Sequence, residues 1–178
     1  MDKSYRIVIT GPESTAKSTL SQQLAGHFNG KFYPEYARLY LDKQGLEYQY
    51  SDVVEIAKGQ LQQYKESLDQ PYNFYFFDTW LIITKVWFEW VYKKYPDWLE
   101  SEISNNPIDL YLLCKPDIQW QPDPLRENGG EDRIRLFNIY KKELLRRNLN
   151  FVEIGGEGKQ RIENAINAVL QFQKTTEV

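Results

Sequence analysis

The chain has 178 residues, and its 22 Lys and Arg against 25 Asp and Glu give a formal net charge of −3. With one Cys and one His, it forms neither an intramolecular disulfide nor a zinc site built on Cys and His ligands. A Ser/His/Asp or Cys/His catalytic site would depend on His27 alone. Acid–base or metal chemistry must therefore fall on carboxylates, Lys, Tyr and hydroxyl groups.

The same numbers indicate the class of protein and its partners. The length suits a single domain over residues 1–178. The acidic balance argues against the basic face that the phosphates of a nucleic-acid duplex require, so we expect no nucleic-acid partner. The N-terminal ten residues lack a signal pattern, and the most apolar stretch, residues 80–92, is too short and too charged to span a bilayer. We expect a cytoplasmic protein without a membrane partner; its oligomeric state stays open.

Apolar periodicity predicts strands and helices in alternation along the chain. The predicted strands are residues 5–10, 31–33, 74–77, 110–114 and 151–154. The predicted helices are residues 17–28, 35–41, 79–94, 133–148 and 158–173, with a further helix opened by an Asp52/Glu55 capping box. That helix has an inner face of Val53, Ile56, Ala57, Gln60, Tyr64 and Leu68. Apolar strands separated by helices are typical of an α/β protein with a parallel sheet.

A phosphate-binding motif lies between the first strand and the first helix. Residues 11–18 read GPESTAKS and satisfy the pattern G-x-x-x-x-G-K-[ST] at seven of its eight positions. In such a loop, consecutive backbone N–H groups and the helix N-terminus bind an anion, Lys17 binds the β- and γ-phosphates, and Ser18 ligates Mg²⁺. The alternative is a chance Gly-turn-Lys at a strand–helix junction. The candidate ATP-binding residues are Gly11, Glu13, Ser14, Thr15, Ala16, Lys17, Ser18 and Thr19.

Ala16 stands where the motif usually has its second glycine. We expect a negative φ at Ala16, since a methyl group is then a minor steric matter. A positive φ would instead cost roughly 1–2 kcal/mol. Nucleotide binding is expected to be retained.

Two carboxylates follow predicted strands, where the ligand crevice of a wound sheet lies. Asp78 closes the run FYFFD and is a candidate Mg²⁺ ligand with Ser18; the alternative is an N-cap of the next helix. Glu35 follows the second strand, and Arg38 lies three residues later. Phosphoryl transfer to a hydroxyl needs one carboxylate to accept the proton and another to hold the metal. The alternative for Glu35 and Arg38 is a solvated first helical turn.

Gln60 and Tyr64 lie four residues apart on the inner face of their predicted helix. A buried glutamine needs a polar partner, which favours a pocket for the pair, whereas Tyr64 alone would be a core residue. Tyr36 is a weaker candidate of the same kind.

A polar loop at residues 117–132, directly after Pro116, shows no periodicity and holds Trp120, Arg126 and the prolines Pro122 and Pro124. Arg133 follows it. A long loop inside a compact domain is commonly functional, and arginines on a closing lid stabilise charge on a transferring phosphoryl group. The alternative is a disordered insertion with solvated arginines.

Four segments together resemble the ribosylnicotinamide kinase domain of the NadR family. They are GPESTAKSTL, PEYAR at residues 34–38, FDTWLIITKVW at 77–87 and DLYLLCKPDIQWQPDPLREN at 109–128. The resemblance implies a P-loop kinase fold: three α/β/α layers, a five-stranded parallel sheet of order 2-3-1-4-5, and a lid at about residues 116–133. It also implies transfer of a phosphoryl group from ATP, with Mg²⁺, to the 5′-hydroxyl of nicotinamide riboside.

The resemblance implies roles for particular residues as well. Asp78 and Glu35 would share the metal and base roles, and Arg126 and Arg133 match the lid arginines. Gln60 and Tyr64 match a GQxxxY pattern of the nucleoside pocket. An aromatic partner for nicotinamide is sought among Tyr36, Tyr64, Trp87 and Trp120, because Pro34 occupies a place where some relatives have an aromatic ring.

Three functions remain open from the sequence. The first is a nicotinamide riboside kinase, with Asp78 on the metal and Glu35 as the base. The second is another nucleoside or nucleotide kinase. The third is a nucleotide-dependent switch or binding module with slow ATP hydrolysis.

Overall fold

A computed structural model describes residues 3–45 and 47–176. Within these residues the strands are β1 Tyr5–Thr10, β2 Lys31–Tyr33, β3 Phe74–Asp78, β4 Leu110–Cys114 and β5 Phe151–Ile154. The helices are α1 Lys17–His27, α2 Tyr36–Gln44, α3 Tyr50–Glu66, α4 Leu81–Tyr92, α5 Trp98–Asn105, α6 Gly130–Arg146 and α7 Gly158–Thr176. No helix of the described part of the chain is long and apolar enough to cross a membrane.

The five strands form one parallel sheet in the order β2-β3-β1-β4-β5. β1 lies at its centre, with Ile9 opposite Asp78 of β3 and Thr10 opposite Leu113 of β4. The strand order and the α/β class match the expectation, so the predicted fold class is confirmed.

Alternate residues of each strand face opposite helical layers, as strand geometry requires. Ile7 and Ile9 pack in an apolar cluster with α1 and α7, whereas Val8 packs on the other face with residues of α3, α4, α5 and α6. The side chains of β1, β3 and β4 are buried on both faces, apart from the half-buried Arg6. This two-sided burial explains why these strands are continuous apolar runs.

Two predictions about α3 are corrected by the structure. α3 begins at Tyr50, because Gln49 is its N-cap and Asp52 is the third residue of the capping box; Asp52 does not open the helix with Glu55. Leu68 follows the end of α3 and is exposed, so it is not part of the inner face.

The long helix predicted for residues 79–94 is shorter in the structure. Thr79 has a φ of 73° and Trp80 is extended, so α4 begins at Leu81. Lys93 takes a left-handed conformation and ends α4, and the separate helix α5 follows. Helix propensity alone does not predict these helix ends, because tertiary packing overrides it.

The carboxyl ends of the strands bring the first loop and β4 into close contact. Gly11 has a φ of +134°, and a Cβ built on it would lie 2.7 Å from the Cys114 carbonyl oxygen. Glycine is therefore required by both conformation and space. Cys114 is fully buried below the loop, and its burial raises the pKa of the thiol to about 11.

Candidate active site

A cavity of about 420 Å³ lies at the carboxyl ends of the strands. Its lining combines the loop between β1 and α1 with α2, α3, α4 and the segment before α6. Thirteen of the predicted site residues line it: Gly11, Glu13, Ser14, Thr15, Ala16, Lys17, Ser18, Thr19, Glu35, Arg38, Gln60, Trp87 and Arg126. The remaining predicted residues, Asp78, Tyr36, Tyr64, Trp120 and Arg133, do not line it.

The loop at residues 11–18 has the conformation of an anion-binding nest. Ser14 and Ala16 both take left-handed φ values, of 55° and 61°. The Lys17 ammonium and the Thr15 hydroxyl each donate a hydrogen bond to the Pro12 carbonyl at 2.8 Å. Left-handed residues within such a turn direct successive N–H groups into one concavity.

The expected negative φ at Ala16 is therefore wrong. With φ 61° and ψ 27°, Ala16 is the left-handed N-cap of α1. The loop needs this conformation to turn into the helix, whichever residue occupies the position. The methyl group accordingly costs roughly 1–2 kcal/mol relative to an unstrained backbone.

Asp78 lies beneath the cavity at the end of β3. It is 2% exposed, and neither carboxylate oxygen has a hydrogen-bond partner among the described residues. Burial, followed by the charge of Glu35, raises the pKa of Asp78 to about 7. The charges of Lys17 and Arg38 and the nearby Ser18 hydroxyl lower this pKa only in part. α4 begins at Leu81 without a side-chain cap, so the N-cap alternative for Asp78 does not hold.

Thr79, directly after β3, is a further residue with a left-handed backbone near the cavity. Its φ of 73° is rare for a β-branched residue, and its backbone N–H donates to the Ile9 carbonyl at 3.0 Å. Strained residues of this kind gather at functional sites, where the surrounding structure holds them in place.

Glu35 and Arg38 lie at the start of α2 and face the cavity. Glu35 is the N-cap residue of α2, but its side chain caps no backbone group. Arg38 forms an ion pair with Asp123 at 3.0 Å. Hydrogen bonds from the Leu125 backbone N–H and from Arg38 hold the pKa of Asp123 below its ordinary value. Both predicted residues thus contribute charge to the cavity.

Gln60 reaches the cavity from α3, but Tyr64 does not. The buried Gln60 amide oxygen accepts a hydrogen bond from the Thr84 hydroxyl at 2.7 Å. Tyr64 stacks on Trp80 in the core and donates to the Pro107 carbonyl at 3.0 Å. Tyr36 packs its ring against Gly59, where any Cβ would overlap it. The pocket expectation for Tyr36 and Tyr64 is therefore corrected, since both pack elsewhere.

Aromatic side chains form one wall of the cavity. Trp87 and Trp90 come from α4, and Tyr48 from the segment before α3. The Tyr48 and Trp87 rings meet edge to face at 4.9 Å between centroids, and the Trp87 N–H donates to the Tyr48 hydroxyl at 3.2 Å. The sequence reasoning missed Tyr48 and Trp90. Trp87 and Val91 are four residues apart on α4 and both line the cavity. This spacing was the sequence signal that could have shown which face of α4 lines the pocket.

The lid segment, residues 116–133, lies over the loop at residues 11–18. The Gln121 backbone N–H donates to the Ser14 hydroxyl at 2.9 Å, and Asn128 donates to the Glu13 carboxylate from its backbone N–H at 2.8 Å. The lid segment also accepts bonds from the aromatic wall: Tyr48 donates to Glu127 at 3.0 Å, and Trp90 to Asn128 at 3.2 Å. The lid segment is thus held against both sides of the cavity.

The two predicted lid arginines differ in their surroundings. Arg126 lines the cavity and donates to the Gln121 carbonyl. Arg133 is buried, and its guanidinium donates to the Glu13, Ser14 and Ile118 carbonyls. Trp120 lies outside the cavity, with the Arg133 guanidinium 5.8 Å from its ring centroid. The expectation that Trp120 lines the pocket is corrected.

Comparisons with known proteins agree with this geometry. Residues 6–161 match a family model described as an AAA domain. The chain belongs to this AAA domain family. The chain is also similar to the trifunctional NAD biosynthesis/regulator protein NadR of Escherichia coli (strain K12), with 30% identity over 156 residues. These residues are 85% of the chain but only 38% of that relative.

Solved structures share the fold of this AAA domain. A NadR protein in complex with NR has a TM-score of 0.82 and 24% identity, over 95% of this chain and 50% of that one. A deoxyadenosine kinase from M. mycoides has a TM-score of 0.65 and 15% identity, over 93% and 98% of the two chains. The expected family resemblance is therefore confirmed.

Proposed function

We propose that the chain is an ATP-dependent kinase that phosphorylates the 5′-hydroxyl of nicotinamide riboside, giving nicotinamide mononucleotide. The observation that carries the proposal is the composition of the cavity. The phosphate-binding loop, the aromatic wall and Glu35 all line one cavity. A donor phosphate and a flat acceptor base would therefore share that cavity with a carboxylate.

The acceptor is inferred from the chemistry of the aromatic wall. Tyr48, Trp87 and Trp90 stand beside the carboxylates of Asp123 and Glu127. Aromatic faces near negative charge favour a planar cation, which is what a nicotinamide ring attached to ribose is. A NadR protein crystallised with NR, the abbreviation of nicotinamide riboside, supports this choice of acceptor.

The phosphate-binding loop supplies the donor half of the reaction. In this proposal the loop N–H groups bind the phosphates of ATP, and the Lys17 ammonium exchanges the Pro12 carbonyl for phosphate oxygens. Arg126, which lines the cavity from the lid segment, neutralises charge that develops on the transferring group. The lid segment over the loop excludes water, which favours transfer over hydrolysis.

The residues present fit a magnesium ion. Asp78 has two buried oxygens without hydrogen-bond partners among the described residues, and Ser18 is near enough to lower the pKa of this carboxyl group. No group of three or more His, Cys, Asp or Glu among the described residues could hold a metal. This suits Mg²⁺, which is commonly bound by one or two protein oxygens together with phosphates and water. Asp78 and Ser18 would hold the Mg²⁺ ion, which would supply positive charge against that of the phosphates.

Glu35 is the group we assign as general base. It lines the open cavity, where an acceptor hydroxyl can reach it, whereas Asp78 lies beneath the cavity and does not line it. A base must come within hydrogen-bond distance of the proton that it accepts, so its accessibility favours Glu35 over Asp78 for this role. Asp78 remains for the metal.

The proposal is tested by a panel of nucleosides, with ADP release as the readout. We expect turnover with nicotinamide riboside and little with purine or pyrimidine nucleosides. Turnover of a purine or pyrimidine nucleoside without turnover of nicotinamide riboside would support another nucleoside kinase. ATP hydrolysis that no nucleoside alters would support a nucleotide-dependent switch instead.

A further inference from the structure

Two buried arginines bind consecutive carbonyls of the phosphate-binding loop. Arg133 of α6 donates from Nε to the Glu13 carbonyl at 3.1 Å and from Nη2 to the Ser14 carbonyl. Arg161 of α7 donates from Nη1 to the Thr15 carbonyl at 3.4 Å. The two guanidiniums come from helices on opposite faces of the sheet, yet they meet three adjacent peptide groups.

All five hydrogen-bonding directions of the Arg161 guanidinium are used. Besides Thr15, it donates to the Gly156 carbonyl at 2.8 Å, the Ile154 carbonyl at 3.2 Å, the Lys115 carbonyl at 3.3 Å and the Asp117 carboxylate. Arg161 is 3% exposed. It therefore joins the loop to the carboxyl ends of β4 and β5, which a lysine with one nitrogen could not do.

Arg133 is buried without a matching carboxylate. Among the described residues no Asp or Glu lies within ion-pair distance of its guanidinium, whose contacts are three carbonyls and the Trp120 ring. Burial and the charge of Arg161 lower the pKa of Arg133. Burying a cation costs free energy unless its hydrogen bonds are satisfied. Water commonly donates to the carbonyls of loops. The use of buried arginines for these three carbonyls therefore needs a reason other than the supply of hydrogen bonds.

Peptide geometry supplies that reason. The described peptide bonds are trans, so each carbonyl points away from the N–H of the next residue. Holding the carbonyls of Glu13, Ser14 and Thr15 against the arginines turns the N–H groups of Ser14, Thr15 and Ala16 the opposite way. Among the described residues none of these N–H groups has a hydrogen-bond acceptor within the protein. They are thus available to an anion.

We propose that Arg133 and Arg161 are positioning residues that orient the N–H groups of the phosphate-binding loop toward a bound polyphosphate. The inference rests on the proposed function, since it assumes that the loop binds the phosphates of ATP. It differs from the lid-arginine expectation for Arg133, because the guanidinium acts on the loop carbonyls and not on the transferring phosphoryl group.

The test compares Arg133→Lys and Arg161→Lys with native protein and with Arg135→Lys. Lysine keeps the positive charge but not the planar fork, so the substitutions separate positioning from long-range attraction. Arg135 lies on α6 with Arg133 and is exposed, and among the described residues its ion pairs are with Glu131 and Asp132, which makes it a matched control. Affinities are measured by calorimetry for inorganic tripolyphosphate with Mg²⁺, for MgATP and for nicotinamide riboside.

We expect both variants to lose about 10- to 100-fold in affinity for tripolyphosphate and for MgATP, a size typical of residues that orient a binding group. Affinity for nicotinamide riboside and the Arg135→Lys protein should stay at the native level. A general loss of folding would lower all three affinities together. Asp117→Asn is the milder variant for that case, because it weakens one hydrogen bond of Arg161 and keeps the arginine. It should give a smaller loss of affinity, confined to tripolyphosphate and MgATP.

Several outcomes would overturn the inference. Native affinity for tripolyphosphate in both lysine variants would show that charge alone suffices. Loss of MgATP affinity with unchanged tripolyphosphate affinity would show that the arginines act on the nucleoside part of ATP. Loss of nicotinamide riboside affinity in Asp117→Asn would show a structural role only. If native protein binds neither phosphate ligand, the proposed function fails, and the positioning role fails with it.

Discussion

Asn128 donates two hydrogen bonds to Glu13, one from its backbone N–H at 2.8 Å and one from its side-chain amide at 3.2 Å. The two residues are 115 positions apart in the chain. The contact joins the lid segment to the phosphate-binding loop, and the Trp90 indole N–H donates to the same Asn128 side chain. The lid position is therefore linked to the aromatic wall and to the loop by one amide.

Replacing Asn128 by alanine should loosen the lid segment. Asn128→Ala removes the side-chain bond to Glu13 and the acceptor of Trp90, but leaves the backbone bond. At about 1 kcal/mol for the neutral bond from Trp90, and more for the bond to the charged Glu13 carboxylate, the open population should rise at least about fivefold. The measurement is the rate of tryptic cleavage after Arg126. Asn138→Ala, an exposed site on α6, is the control, and equal rates in the two variants would contradict the prediction.

Ala16→Gly should stabilise the protein. The left-handed backbone at Ala16 costs roughly 1–2 kcal/mol, while glycine adds a smaller cost through the unfolded chain. We expect a net gain of about 1 kcal/mol in the free energy of unfolding, measured by urea denaturation. ATP affinity should change little, because the strain is already present in the nucleotide-free loop. A loss of stability would mean that the methyl group makes compensating contacts.

The stability of the native protein should depend on the protonation of Asp78. Its folded pKa of about 7 lies above the ordinary 3.8, so between these values the folded state binds more protons than the unfolded state. The free energy of unfolding should therefore fall as pH rises from about 4 to about 7, by about 4 kcal/mol when the group is fully ionised.

Asp78→Asn removes this dependence and is the variant that checks it. When unfolding by urea is measured between pH 4.5 and 8, the free energy of unfolding of the variant should rise relative to that of the native protein as pH increases. The exposed Asp97→Asn serves as the control, because a substitution at the surface should leave the native profile in place. Parallel profiles for native and Asp78→Asn proteins would show that the buried carboxyl does not retain its proton.

Glu35→Gln should lower turnover without abolishing binding. Loss of a general base costs typically about 10²- to 10⁴-fold in rate. The measurement is kcat for nicotinamide riboside, with Glu163→Gln, an exposed change on α7, as the control. Turnover close to native in Glu35→Gln would rule out the base assignment. Asp78→Asn should also be inactive, but its loss should lessen with Mn²⁺ or raised Mg²⁺ if Asp78 serves the metal.

The strands were predictable from the sequence because their determinants are local, whereas the strand order was expected only from the family resemblance. The runs from Tyr5 to Thr10 and from Leu110 to Cys114 are apolar on both faces, and glycine or proline follows closely. The loop at residues 11–18 and the strand-end position of Asp78 were predictable for the same reason. Each depends on a motif or a boundary within a few residues.

The arrangement of the lid and the pocket depends on contacts that no local pattern encodes. Tyr64 lies on the buried face of α3 as expected, but only the packing of Trp80 shows that its ring belongs to the core. The left-handed φ at Ala16 follows from the turn of the whole loop. The role of Arg161 could not be predicted from the sequence, because its five acceptors come from three separate segments.

The burial of Cys114 has a practical consequence for measuring lid motion. The thiol is the chain's one cysteine, it is fully buried below Gly11, and its pKa of about 11 keeps it protonated at neutral pH. Since the thiolate is the reactive form, maleimide dyes should leave this position untouched. Cysteines introduced at Asn138 and at an exposed lid position would therefore be labelled selectively in the otherwise native chain, giving a fluorescence ruler for opening and closing.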